Sequence, residues 1–203
     1  GGLSREGAER RLIALGFRDV TRAVRTFGIL TRGMSRRSRL MQQMLPLILG
    51  WLADSPDPDL GLEQVRLLAA GMSDHTELIT TLLDRPVVGQ RLAYLLGSSR
   101  LLGRYLDRIP EFVARLDDEE VLTDLAGRRE LEERLYRRLE SRPEDDHVGT
   151  IRRFARRQLV RVAARDLLNM ADVEETMSDL TAAADAAVSA TTRLVSPNGG
   201  LAV

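Results

Sequence analysis

Residues 150–188 read TIRRFARRQLVRVAARDLLNMADVEETMSDLTAAADAAV, and their pattern decides the fold class. Six arginines fall between Arg152 and Arg165 with no acid among them, and six acids follow between Asp166 and Asp185 with no arginine. Apolar residues recur every three to four positions on both sides of the charge switch, the period of an amphipathic helix. The run Asp172-Val-Glu-Glu175 is a capping-box pattern, with Asp172 as N-cap and Glu175 at N3. Two long helices, about 150–171 and 172–194, are therefore predicted. A tight turn between them makes an antiparallel αα-hairpin. Asp179 is then expected near Arg165, and Asp185 near Arg157, with Arg152, Arg153 and Arg156 left freer.

The same period runs outward through the rest of the chain. Helices are predicted over about 4–15, 18–31 and 35–53, with Gly16 and Gly33 as stops after the first two. In the second, Val20, Val24, Phe27 and Leu30 fall at helical spacing. The third carries Leu40, Met44, Leu45, Leu47, Ile48 and Trp51. Pro46 inside it predicts a kink or a break. Asp54-Ser-Pro-Asp-Pro-Asp59 is a polar loop. Asp74-His-Thr-Glu77 is a second capping-box pattern. Pro86 and Pro110 sit where a first-turn proline starts a helix. Two helices within about 92–106 are divided near Gly97-Ser98-Ser99, and a charged helix runs over about 128–140. Period-2 alternation is nearly absent. The expected fold is all-α, a mainly antiparallel multi-helix bundle ending in the long hairpin. The division expected is 1–146 for a central helical region, 147–196 for the hairpin and 197–203 for the start of a strand.

Composition narrows the function classes. The 203 residues are 43% hydrophobic, 30% charged and 4% aromatic, which is foldable, soluble and better suited to helix than to sheet. All 30 basic residues are arginine, a usage that fits a high-GC coding bias, and 30 acids bring the net charge to zero. That balance argues against general nucleic-acid affinity. It is uneven along the chain: residues 1–54 carry ten arginines against four acids, and residues 55–149 thirteen against twenty. No cysteine is present, which excludes disulfides and thiolate metal sites. The opening GGLSREGAERR lacks the apolar region of a signal peptide. The apolar run MLPLILGWLA (44–53) is too short to span a bilayer. A cytoplasmic location, without membrane or nucleic-acid partners, is expected.

Each candidate for chemistry has a plainer reading. The row Arg153, Arg157, Arg161 and Arg165 could grip phosphates. No aromatic residues are interleaved for base stacking, and the acids of the second helix can neutralise part of the row. Asp57-Pro-Asp59 has the spacing of a divalent-cation pair, but it stands between prolines in a polar loop. His75 and His147 have no second histidine at ligand spacing. SRRSRLMQQMLPLILGWLA (35–53) could lie on a membrane, yet its nearly continuous apolar half fits a core helix better. Met34, Met41 and Met44 then fill gaps in that core. No catalytic, cofactor-binding or metal-binding residues are assigned. The candidates for binding a partner are Arg36, Arg37, Arg39, Arg152, Arg153 and Arg156.

RRFARRQLVRVAARDLL followed by DVEETMSDLTAAADA resembles the helical lead-in of a nucleotidyltransferase domain in the bifunctional glutamine synthetase adenylyltransferase/adenylyl-removing family. GFRDVTRAVRTFGILTRGMSRRSRLMQQMLPLILGWLADSPDPDLGL is similar to the stretch after the first catalytic domain in actinobacterial members. LLGSSRLLGRYLDRIPEFVARL is similar to the region before the second. Gly97-Ser98 is similar to the Gly-Ser pair that opens nucleotidyltransferase sites, but no D-x-D follows it, and a helix break with a serine cap is expected instead. The closing NGGLAV resembles the first strand of the second catalytic domain, so the family's metal site lies beyond this sequence. The resemblance implies a noncatalytic regulatory or connecting region. Its alternative is a helical part of the adenylyltransferase site that needs a C-terminal portion for activity. It also implies glutamine synthetase, the PII signal protein and flanking nucleotidyltransferase domains as partners. ATP and magnesium are implied as cofactors of the parent enzyme, with none held by these residues.

Overall fold

The structure is a computed structural model that describes residues 5–71, 76–123 and 126–196. Every regular element among them is helical, which matches the all-α expectation. The expected capping box at 74–77 and the expected strand at 197–203 lie outside the described residues. The chain forms two compact units, Gly1–Glu119 and Glu120–Val203. Residues 128–140 share a unit with the two long helices.

The first unit contains α1 (Arg5–Ala14), α2 (Val20–Leu30), α3 (Arg36–Ala53), α4 (Pro58–Gly71), α5 (Thr76–Asp84), α6 (Pro86–Ser98), α7 (Arg100–Leu106) and the short α8 (Pro110–Val113). Gly16 (φ +87°) and Gly33 (φ +104°) take the left-handed conformation after α1 and α2, where a Cβ would be strained. Pro46 is absorbed within α3, so the expected break does not occur. The proline removes one backbone donor, and the flanking apolar residues hold the helix together by burial: Met41, Met44, Ile48, Trp51 and Leu52 are all buried. That burial answers the membrane reading of α3. Met34 is 89% exposed, so only Met41 and Met44 act as core fillers. Val24 and Leu47 also lie partly in water.

Close helix approach in this unit depends on glycine. The Trp51 ring occupies the space that a Cβ on Gly89 of α6 would need, and a Cβ on Gly61 of α4 would meet Gly97 Cα at 3.3 Å. Asp57 and Asp59 are engaged by backbone. Asp57 accepts from the Leu60 N–H (2.9 Å), and Asp59 accepts from the Arg18 (2.7 Å) and Asp19 (3.3 Å) N–H groups. The carboxylate pair therefore caps α4 and fixes the α1–α2 turn. α6 and α7 divide at Ser99, whose hydroxyl accepts from the Leu102 N–H, as the serine-cap reading expects.

The second unit is built on α10 (Arg128–Glu140), α11 (His147–Leu167) and α12 (Val173–Val195), preceded by α9 (Glu119–Thr123), which begins at the unit boundary. A single 3₁₀ turn, Glu144–Asp146, leads into α11. α11 ends at Leu167, four residues before the expected position, because Asn169 adopts φ 56°. Its N–H donates to Asp166 O (3.0 Å), and the Met170 N–H donates to Arg165 O (2.8 Å), a Schellman closure with asparagine in the usual glycine place. The Asp172 capping box then starts α12, with Glu175 N–H to Asp172 at 2.8 Å and the reciprocal bond at 3.1 Å. Stop and start signals three residues apart, Asn169 and Asp172, make the turn.

Candidate functional site: the arginine helix and its cleft

The platform of the site is a small apolar core. Leu131, Leu135 and Leu139 repeat every four residues on α10 and are buried with Ile151 and Phe154 of α11 and Ala183, Ala186 and Ala190 of α12. The alanines leave room for close packing of the long helices. Tyr136 shares a hydrogen bond with Ser189 (2.9 Å) and lies under the Arg193 guanidinium (4.4 Å to the ring centroid).

On this platform the row Arg153, Arg157, Arg161 and Arg165 changes environment along its length. An i, i+4 row turns by about 40° per step, so three steps carry it about 120° around the helix. Arg153 is exposed, Arg157 half-buried, and Arg161 and Arg165 buried. Arg165 is 2% exposed and ion-paired with the buried Asp179, with Glu175 at 3.9 Å. The expected meeting of Arg165 with Asp179 is therefore present. Asp185, expected near Arg157, faces Arg128 at 3.2 Å. The reason is that α10 packs along α12, which the charge pattern of the hairpin alone does not encode.

The three arginines expected to be freer differ from one another. Arg152 is exposed and forms no ion pair among the described residues. Arg153 is bound: it donates to Asp146 (2.6 Å) and to the Thr150 hydroxyl (2.9 Å). That bond, followed by the charge of Arg153, holds the Asp146 carboxyl below its ordinary range. Arg156 is half-buried and engaged. In the first unit, Arg36 is exposed in the first turn of α3, Arg39 donates to Met34 O (3.1 Å), and the side chain of Arg37 lies outside the described ones. Arg36 and Arg39 belong to the first unit and the α11 residues to the second.

What the structure does bring together is a cleft between the end of α10 and the first half of α11. Arg138, Ser141, Arg142, Thr150, Arg153, Phe154 and Arg157 line it, and its volume is about 340 Å³. Arg138 lies over the Phe154 ring at 5.5 Å from the centroid. Desolvation, then the positive charges of Arg157 and Arg134, pushes the Arg138 guanidinium below its ordinary value. His147 Nε2 lies 3.1 Å from both Leu139 O and Arg142 O. Both are acceptors, so this nitrogen carries the proton and caps the end of α10. The sequence reading missed Arg138 and Arg142. The available signal was the adjacent Arg137-Arg138 and Arg142-Pro143 ahead of the arginine helix, which becomes meaningful only once α10 folds back on α11.

No group of three or more His, Cys, Asp or Glu residues placed to hold a metal ion occurs among the described residues, and no helix there is long and apolar enough to cross a membrane. Fold and site define an all-α protein with a basic cleft among its described residues. Residues 89–197 match the family model described as GlnE, glutamate-ammonia ligase adenylyltransferase, and the chain belongs to that family. It is 37% identical over 201 residues to the bifunctional glutamine synthetase adenylyltransferase/adenylyl-removing enzyme of Cutibacterium acnes, covering 95% of this chain and 20% of that protein. The enzymes of the same name from Mycolicibacterium smegmatis (36%; 89% of this chain, 18% of that protein) and Streptomyces avermitilis (34%; 87% and 18%) are similar. The chain spans about a fifth of the length of the curated relatives it matches. No solved structure matches it.

Proposed function

We propose that this chain is a noncatalytic helical region that connects and orients the catalytic parts of a glutamine synthetase adenylyltransferase, in the cytoplasm, in control of nitrogen assimilation. The observation that carries this reading is the engagement of its polar motifs by its own fold. Asp57 and Asp59 bind backbone N–H groups, Ser99 caps a helix, and Arg165 and Asp179 bind each other. ATP and magnesium then belong to the parent enzyme's nucleotidyltransferase domains, and glutamine synthetase is the protein those domains modify.

The finer reading is regulatory: the exposed arginines receive the PII signal protein. Arg36 supports it, because a cation in the first turn of α3 opposes the helix dipole and a negatively charged partner there would relieve that mismatch. Calorimetric titration of PII into the chain, with and without glutamine, tests this. Saturable heat that is lost in Arg36→Gln or Arg152→Gln variants is the expected result. No heat from a chain shown to be folded reduces the region to a spacer.

A second reading has support from the span of the family match, which runs through both helices of the hairpin. In that reading the hairpin completes a nucleotidyltransferase site. Adding a separately produced C-terminal domain distinguishes the two, since recovery of adenylyl transfer on mixing favours a shared site.

A further inference from the structure

We propose that the cleft between α10 and α11 is an oxyanion site that takes the phosphoryl group of a small molecule. Four arginines, Arg138, Arg142, Arg153 and Arg157, line it together with Ser141 and Thr150. Guanidinium forks match phosphate oxygens in a bidentate geometry.

The groups that could oppose an anion are already engaged. Ser141 donates to Arg138 O (2.9 Å), the Arg142 N–H donates to Leu139 O (3.0 Å), and His147 covers Leu139 O and Arg142 O. These bonds occupy the carbonyl groups at the end of α10. Asp146 is the acid beside the cleft, and it is bound to Arg153. Arg138 and Arg142 form no ion pair among the described residues. The Phe154 ring beneath Arg138 fixes that guanidinium by a cation–π contact.

Desolvation first, and then the positive charges of Arg157 and Arg134, disfavour the charged form of Arg138, an electrostatic cost within the cleft. An anion with two charges removes that cost. The cleft, at about 340 Å³, lies at the small end of the range of small-molecule sites, which favours a phosphate compound over an extended chain.

The test is thermal and calorimetric titration of the 203-residue chain with inorganic phosphate and with glycerol 3-phosphate, at constant ionic strength set by sodium chloride. Saturable binding by either supports the site. Binding of the ester alone names a phosphate monoester as its ligand, and equal binding names free phosphate as sufficient. Arg138→Gln/Arg142→Gln is expected to weaken binding by about tenfold or more, as the loss of charge-assisted hydrogen bonds implies. Arg129→Gln, on the same helix outside the cleft, is expected to leave it unchanged. Should the double variant lose helical signal, the exposed Arg142→Gln alone serves. An equal response to sodium acetate, or wild-type affinity in a folded cleft variant, overturns the proposal.

Discussion

Arg165 and Asp179 meet across the turn between α11 and α12, both almost wholly withdrawn from water and bonded through Arg165 Nη1 and Asp179 Oδ2. Removing one partner strands the other as a buried charge. Asp179→Asn is therefore expected to cost about 3–5 kcal/mol in chemical denaturation, whereas Arg165→Met/Asp179→Leu should cost much less or nothing. Equal losses from the two changes would mean that the pair adds attraction without a desolvation penalty.

The turn itself is fixed by local signals, so its variants should act locally. Asp172→Ala removes the acceptor for the Glu175 N–H and should cost about 1 kcal/mol. Asn169→Gly should be tolerated at φ 56°, and Asn169→Val should be clearly destabilising there. Denaturation midpoints in that order check the capping account.

Two glycines make an internal contrast. Gly89→Ala would drive a methyl into the Trp51 ring, with an expected loss of about 1–3 kcal/mol. Gly28, inside α2, has nothing within 4 Å of the position a methyl would take, and Gly28→Ala should stabilise by about 0.5–1 kcal/mol. Thermal melts of the two variants should move in opposite directions.

The Asp146–Arg153 contact predicts a pH dependence. Its folded-state carboxyl titrates below the ordinary 3.8, so its contribution is fully present above that value and is lost as pH falls through the lower folded value. Carboxyl-detected NMR should find Asp146 titrating below 3.8 in the wild type and nearer 3.8 in Arg153→Gln. An unchanged titration in the variant would remove Arg153 as the cause.

The parts legible in the sequence were those with short-range causes. The capping box at Asp172, the breaks at Gly16, Gly33 and Ser99, and the first-turn Pro86 and Pro110 each act within a few residues, and each is found in place. Arg165 with Asp179 was also legible, because a short turn sets their register. Of the kink or break expected at Pro46, the break does not occur, because its local cost is outweighed by burial that only tertiary packing supplies. Arg157, Arg138 and Arg142 were not brought together in advance, because their meeting depends on where α10 lies.

The central claim is that this region connects catalytic parts without performing the chemistry. Its most direct test is intact-mass measurement of glutamine synthetase after incubation with the isolated chain, ATP and magnesium, with folding checked by circular dichroism. No adenylylated subunit is predicted at any chain concentration. Time-dependent gain of an adenylyl group that scales with the chain would contradict it.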